Sequence, residues 1–150
     1  MRIILIEDNH FKVDNIKYSL NEHFENVELD VYETEFEFVD QIDLIAANPP
    51  DIFIIDLMLI WDVSSKNIKD PNDYIDNYTT LFEAGFRCKE LIRTKSNLSN
   101  SPISILTVLE EKGLGEKANY LGRNTKFLEY SPKPYKLIKL IKQMLEDGKK

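Results

Sequence analysis

Cysteine is almost missing from this chain: Cys88 stands alone among 150 residues. That rules out a disulfide framework and a cysteine metal site, and leaves Cys88 as a buried apolar filler. No apolar run approaches the roughly 18 residues that a membrane-spanning helix requires. No basic, then apolar, leader opens the chain either; Arg2 passes straight into Ile3-Ile4-Leu5-Ile6. A secretory signal is therefore not expected, and the expected setting is reducing and cytoplasmic. Positive charge is in deficit, with 19 Lys and Arg against 26 Asp and Glu and a net charge of −7. A free-standing nucleic-acid binder normally carries a basic footprint, so direct binding to nucleic acid is not expected. Internal repeats and low-complexity segments are also lacking. The remaining expectation is one globular domain over residues 1–150, long enough for a real core.

What the chain does have is five alternations of strand-like and helix-like patterning. Residues 2–7 read as a short buried strand. Val13, Ile16, Leu20 and Phe24 then recur at the spacing of one helix face. Val27, Leu29 and Val31 alternate with acids, as in a strand with one exposed side. Phe38, Val39, Ile42 and Ile45 predict a second helix, stopped by Asn48-Pro49-Pro50. Residues 51–57 read as a third strand, and Phe86, Cys88, Leu91 and Ile92 as a third helix. A polar loop over 94–101 leads to a fourth strand from Pro102 to Thr107. Leu114, Ala118 and Leu121, with Gly113, Gly115 and Gly122 around them, mark a short fourth helix. Phe127 to Tyr130 is a fifth strand, and Leu137, Leu140, Ile141, Met144 and Leu145 a fifth helix. Alternating units with near-continuous apolar strands predict an α/β fold: a doubly wound, five-stranded parallel sheet covered on both faces. Right-handed crossovers and five units suit the order 2-1-3-4-5, with a site beyond the strand ends between strands 1 and 3. About two dozen residues, 60–84, are an insertion between the third strand and its helix. Within it, Asp70-Pro71-Asn72-Asp73 carries a helix-start signal, so a short extra helix is expected near 71–78. Trp61, Tyr74, Tyr78 and Phe82 would give it something to bury.

The chemistry sits at the strand ends. Glu7 and Asp8 close the first strand, Asp56 the third and Thr107 the fourth, and Lys133-Pro134 follows the fifth. A single acid at a strand end is an ordinary cap or loop residue. Three on adjacent strands repel one another and call for a cation. Asp56 is the expected nucleophile, because a carboxylate can attack a phosphoryl group and form an acyl phosphate. Such a reaction needs a divalent cation on the incoming oxygens. Mg²⁺ takes oxygen ligands and keeps several waters, and Mn²⁺ could take its place. Asp8 and Asp56 would ligate it directly, Glu7 through water, and the backbone carbonyl of Met58 would add a further ligand. Lys133 is the cation expected at this rim, pairing with Asp56 and then with a phosphoryl oxygen. Pro134 permits a cis peptide that would aim the lysine inward. Thr107 could donate its hydroxyl to a bound phosphoryl group.

These motifs together resemble the receiver domain of response regulators, the CheY-like family of two-component signalling. Glu7-Asp8-Asn9 resembles the family's acidic pair, and Asp56-Leu57-Met58-Leu59 its phosphoacceptor motif. Leu106-Thr107 and Lys133-Pro134-Tyr135 resemble its hydroxyl and lysine motifs. Tyr130, three residues before the lysine, resembles its aromatic switch position. The resemblance implies phosphotransfer to Asp56 from a histidine kinase or a phosphotransfer protein. It implies that Thr107 and Tyr130 move together when the phosphoryl group arrives, remodelling the face of helix 4, strand 5 and helix 5. A downstream protein or output domain would read that face, and a second copy of the chain is a further candidate partner. Two departures stand out. Ile60-Trp61 and the insertion replace the family's Pro and nearby Gly, with Gly85 as the displaced glycine. Val108 is bulkier than the small residue the family favours after the hydroxyl.

The reading is therefore a phosphorylatable switch, not a dedicated enzyme, although it would promote its own phosphorylation and dephosphorylation. One rival is a degenerate receiver that binds partners without phosphate. Another is a Mg²⁺-dependent α/β phosphohydrolase, which would want a second acid two residues after Asp56, where Met58 stands. His10 reads as an exposed helix-start residue. Lys136, Lys139 and Lys142 read as a solvated or partner-docking stripe.

Overall fold

The strands that read as unbroken apolar runs are the central ones. The computed structural model describes residues 1–57, 84–107 and 122–149. In chain order its elements are β1 (Arg2–Ile6), α1 (His10–His23), β2 (Glu28–Tyr32), α2 (Glu35–Ala47), β3 (Ile52–Asp56), α3 (Ala84–Thr94), β4 (Ile103–Thr107), β5 (Thr125–Glu129) and α4 (Tyr135–Asp147). The sheet is five-stranded, with order β2-β1-β3-β4-β5 and every pairing parallel. All residues of β3 and β4 are buried, as are the last four of β1. The edge strands β2 and β5 carry acids and a lysine instead, because only part of each is covered. The expected order and the doubly wound architecture are therefore those observed.

Alternation within the strands sorts the core into two layers. Ile4, Ile6, Phe53, Ile55, Ile103 and Ile105 face α2 and α3, where they pack with Phe38, Ile42, Cys88 and Ile92. Ile3, Leu5, Ile52, Ile54 and Leu106 face α1 and α4, against Ile16, Leu20, Leu137, Ile138 and Ile141. Cys88 is buried in the first layer as an apolar filler, and burial pushes its thiol pKa up.

Caps fix where the helices start. Asn9 caps α1, its side chain accepting from Lys12 N at 3.2 Å. Thr34 caps α2 through Glu37 N at 3.1 Å, and Glu37 accepts in return from Glu33 N at 3.0 Å. Both use the side-chain oxygen to satisfy a first-turn N–H. Glu35, at the start of α2, forms a two-pronged ion pair with Arg87 of α3, both contacts 2.7 Å. Arg93, at the end of α3, donates to the carbonyls of Leu98, Ser99, Ser101 and Arg123. It thereby pins the polar 94–101 loop and the start of β5. The patterning gives no hint of this, because one arginine in a helix reads as solvated surface.

Element ends shift by one to three residues from the sequence reading. β5 starts at Thr125 and ends at Glu129, so Tyr130 lies one residue beyond it. The insertion up to Phe82 (Trp61 and the helix near 71–78 included), Met58, Val108 and the fourth helix around 114–121 all lie outside the described residues. No described helix is long and apolar enough to cross a membrane.

Candidate functional site

β1 and β3 are neighbours, with Ile6 opposite Ile55. The residues that follow each pairing therefore meet: Glu7 and Asp8 after β1, and Asp56 at the end of β3. One ligand oxygen from each of these three acids lies within 4.8 Å of the others. This is the switch point of the 2-1-3-4-5 order, where the helix after β1, α1, leaves to one face and the helix after β3, α3, to the other. Glu7 is fully buried, Asp56 is 3% exposed and Asp8 is half-buried.

Burial strips Glu7 of water, and the Asp56 carboxylate lies beside it. Those two causes, in that order, push the Glu7 carboxyl pKa up from 4.5 to about 9. The Asn9 N–H, donating to Glu7 Oε1 at 3.0 Å, and the nearby Lys12 pull the other way without reversing the shift. Glu7 Oε2 is buried, 3.7 Å from Lys12 Nζ, and a side-chain hydrogen bond with Asp56 adds to the upward shift. Three carboxyl groups whose ligand oxygens gather within 4.8 Å suit a hard divalent cation of the Mg²⁺ class. The residues therefore fit such an ion.

The sequence reading placed one cation here, Lys133, and missed another. Lys12 Nζ lies 3.5 Å from Asp56 Oδ2 and 3.7 Å from Glu7 Oε2. Its ammonium also sits 5.2 Å from the centre of the Tyr130 ring. The missed signal was local. Asn9 caps α1, so Lys12 falls in the first turn, where side chains tilt back toward the helix start. Lys133 is exposed, and no ion pair joins its ammonium to a described carboxylate. The cis peptide permitted by Pro134 is not adopted, since no described peptide bond is cis. The trans form is the lower in energy, and Pro134 serves as the N-terminal cap residue of α4.

Thr107 is buried at the end of β4, one residue past the register partner of Asp56. Its carbonyl accepts from Tyr130 N at 2.6 Å, which ties the ends of β4 and β5 together. The Tyr130 hydroxyl accepts from Asn15 Nδ2 at 3.2 Å. His10 opens α1 and is exposed, as read. Lys136, Lys139 and Lys142 are exposed along α4.

Gly85 lies in the first turn of α3, against the end of β3. Its N–H donates to the Leu57 carbonyl at 3.1 Å. A Cβ there would lie 2.6 Å from Asp56 O and 2.7 Å from Leu57 Cα. Only glycine lets α3 start this close to the end of β3. A groove of about 450 Å³, lined by Pro50, Asp51, Asn100, Lys126 and Leu145, lies at the opposite end of the sheet and takes no part in this site.

No family model matches the chain, and no curated protein matches it in sequence. Solved structures do. The signal receiver domain of a signal transduction histidine kinase from Syntrophus aciditrophicus aligns with a TM-score of 0.69 at 17% identity, covering 99% of this chain and 92% of that one. The phosphorylated cyanobacterial phytochrome response regulator RcpA gives 0.65 at 19% identity, covering 97% and 91%. The receiver domain of a sensor histidine kinase from Pseudomonas aeruginosa, with magnesium coordinated in its active-site cleft, gives 0.65 at 17% identity and 97% of both chains. Together with the strand order and the register, these likenesses identify the fold of the chain as that of response-regulator receiver domains.

Proposed function

We propose that the chain is a phosphorylation-dependent signalling switch that accepts a phosphoryl group on Asp56. One observation carries the reading: Glu7, Asp8 and Asp56 converge within 4.8 Å at the switch point of a receiver fold. Magnesium in the cleft of the Pseudomonas receiver domain supports the same ion here. Bound by Asp8 and Asp56, with Glu7 through water and the Met58 carbonyl, it would neutralise charge on the incoming phosphoryl oxygens. The donor is a phosphohistidine of a histidine kinase or phosphotransfer protein. An Asp56 oxygen bonds to phosphorus as the phosphorus–nitrogen bond breaks, and the imidazole leaves neutral, keeping the proton already on its other ring nitrogen. Thr107 donates its hydroxyl to the new acyl phosphate, and Lys133 swings in from solvent to pair with it. Tyr130, tied to Thr107 through the backbone, follows that change and alters the adjoining α4 face. A downstream protein or output domain reads the face, and a homodimer is one form that such a readout takes. The chain acts on itself and is not a dedicated enzyme. The reading treats residues 1–150 as one receiver domain in a cytoplasmic setting.

A second reading has one observation in its favour. Lys12 already neutralises part of the acid cluster, as it would in a degenerate receiver that binds partners without phosphate. Intact mass after incubation with a small phosphodonor and Mg²⁺ separates the two. Wild type gains the mass of one phosphoryl group, and Asp56→Asn gains none, because an amide is a poor nucleophile. Labelling of both proteins places the acceptor elsewhere; labelling of neither favours the binding module. Repeated turnover of phosphate esters would instead indicate a hydrolase.

A further inference from the structure

We propose that Lys12 is an internal counter-ion of the acid cluster, one that a divalent cation must displace from the carboxylates. The inference rests on the reading that the cluster takes such a cation. Lys12 Nζ stands between Asp56 Oδ2 at 3.5 Å and Glu7 Oε2 at 3.7 Å. Both distances are long for a hydrogen bond and within reach of an ion pair. The ammonium thus sits among acids whose ligand oxygens span no more than 4.8 Å. A divalent ion placed there would lie a few ångströms from a fixed positive charge, in a setting where charges are poorly screened. Both cations cannot hold the same carboxylates.

Lys12 is held at this post, not merely near it. The Asn9 side chain accepts from its N–H at 3.2 Å, which fixes the first turn of α1. Its side chain is only 15% exposed. The ammonium also lies over the Tyr130 ring, 5.2 Å from the centroid. Asn15, one turn further along α1, donates to the Tyr130 hydroxyl. Displacing Lys12 therefore removes a cation from the ring of the residue whose N–H holds the Thr107 carbonyl. Metal entry and the surroundings of Tyr130 are coupled through one side chain. By reciprocity, a ligand whose binding shifts Tyr130 through Lys12 changes metal affinity by the same factor by which metal changes the affinity for that ligand.

The test is calorimetric titration of Mg²⁺ and Mn²⁺ into the full chain as wild type, Lys12→Met and Lys12→Arg. Lys12→Met keeps an apolar stem of similar length and removes the charge, and should bind metal on the order of tenfold tighter. Lys12→Arg keeps the charge and should stay near wild type. A second readout follows the ¹³C-labelled Tyr130 ring during Mg²⁺ addition, assigned with Tyr130→Phe. Its resonance should move in wild type and much less in Lys12→Met. Equal affinity in wild type and Lys12→Met overturns the proposal while leaving the metal site standing. Weaker binding by Lys12→Met also overturns it, since Lys12 would then be organising the carboxylates. No binding by any of the three proteins overturns the metal reading and this proposal together.

Discussion

Glu7 concentrates the electrostatic strain of the site in one side chain. Its carboxyl titrates near 4.5 in the unfolded chain and is pushed up to about 9 in the fold by burial and by Asp56. Between those values the folded protein holds a proton that the unfolded chain has released. The folded state is therefore favoured below pH 4.5 as far as Glu7 is concerned, and that advantage drains away as pH rises toward 9. Metal-free protein should melt at lower temperature at pH 8.5 than at pH 6. Glu7→Gln, neutral throughout, should flatten that dependence. Asp56→Asn relieves the second cause and should raise metal-free stability near neutral pH by about 1 kcal/mol. Thermal melts in chelator across pH 5–9 check all three proteins; a Glu7→Gln curve as steep as wild type would shift the cause away from Glu7. Added Mg²⁺ should restore wild type by mass action and Asp56→Asn less. The acids and Thr107 were legible in sequence because strand ends place them. Lys12 was not, because its role depends on helix phase and on the tilt of side chains in a capped first turn. Lys133 was placed at the rim by its position after β5, but the backbone leaves its side chain in solvent.

Between residues and fold, the junction of β3 and α3 is the tightest piece of the site. Gly→Ala inside a helix normally gains about 0.5–1 kcal/mol. At Gly85 the added methyl would meet the Asp56 carbonyl oxygen at 2.6 Å and Leu57 Cα at 2.7 Å, both backbone atoms that yield little. Overpacking of that kind costs roughly 1–3 kcal/mol, so Gly85→Ala should be destabilising on balance. Urea unfolding checks it, and a variant as stable as wild type would mean that α3 has room to retreat. Sequence patterning found all the described helices, since each carries apolar residues at helical spacing. It set β5 two residues late because Thr125 and Lys126 are polar. They still pair with Ile103 and Ser104, as an edge strand needs cover on only part of its length.

For the molecule as a whole, the parallel order was legible because β1, β3 and β4 are apolar on both faces, which only a doubly covered sheet explains. Among the described residues, each core layer is a continuous cluster that joins strands and helices from both sides of residues 62–80. A variant shortened across residues 62–80 should keep its sheet and unfold cooperatively, with a change in phosphorylation rate or partner choice instead, as expected of a segment inserted between a strand and its helix. Circular dichroism and a single melting transition check the first part; loss of cooperativity would make that segment a structural member of the domain. What the sequence did not disclose at this scale is how the two ends of the chain share one layer.

That sharing has a consequence in time. Among the described residues, the fully buried members of the α2–α3 layer come no later than Ile105, with Phe127 of β5 at its margin, whereas the layer under α1 draws Leu137, Ile138, Ile141 and Met144 from α4. A chain emerging from the ribosome in order can bury the central strands on one side of its sheet while the other still shows Ile3, Leu5, Ile52 and Ile54 to water. Until α4 arrives, the nascent protein is a half-covered sheet with a bare apolar flank, the kind of species that chaperones hold and that otherwise aggregates. The synthesis of α4 therefore governs how long the newborn chain stays vulnerable.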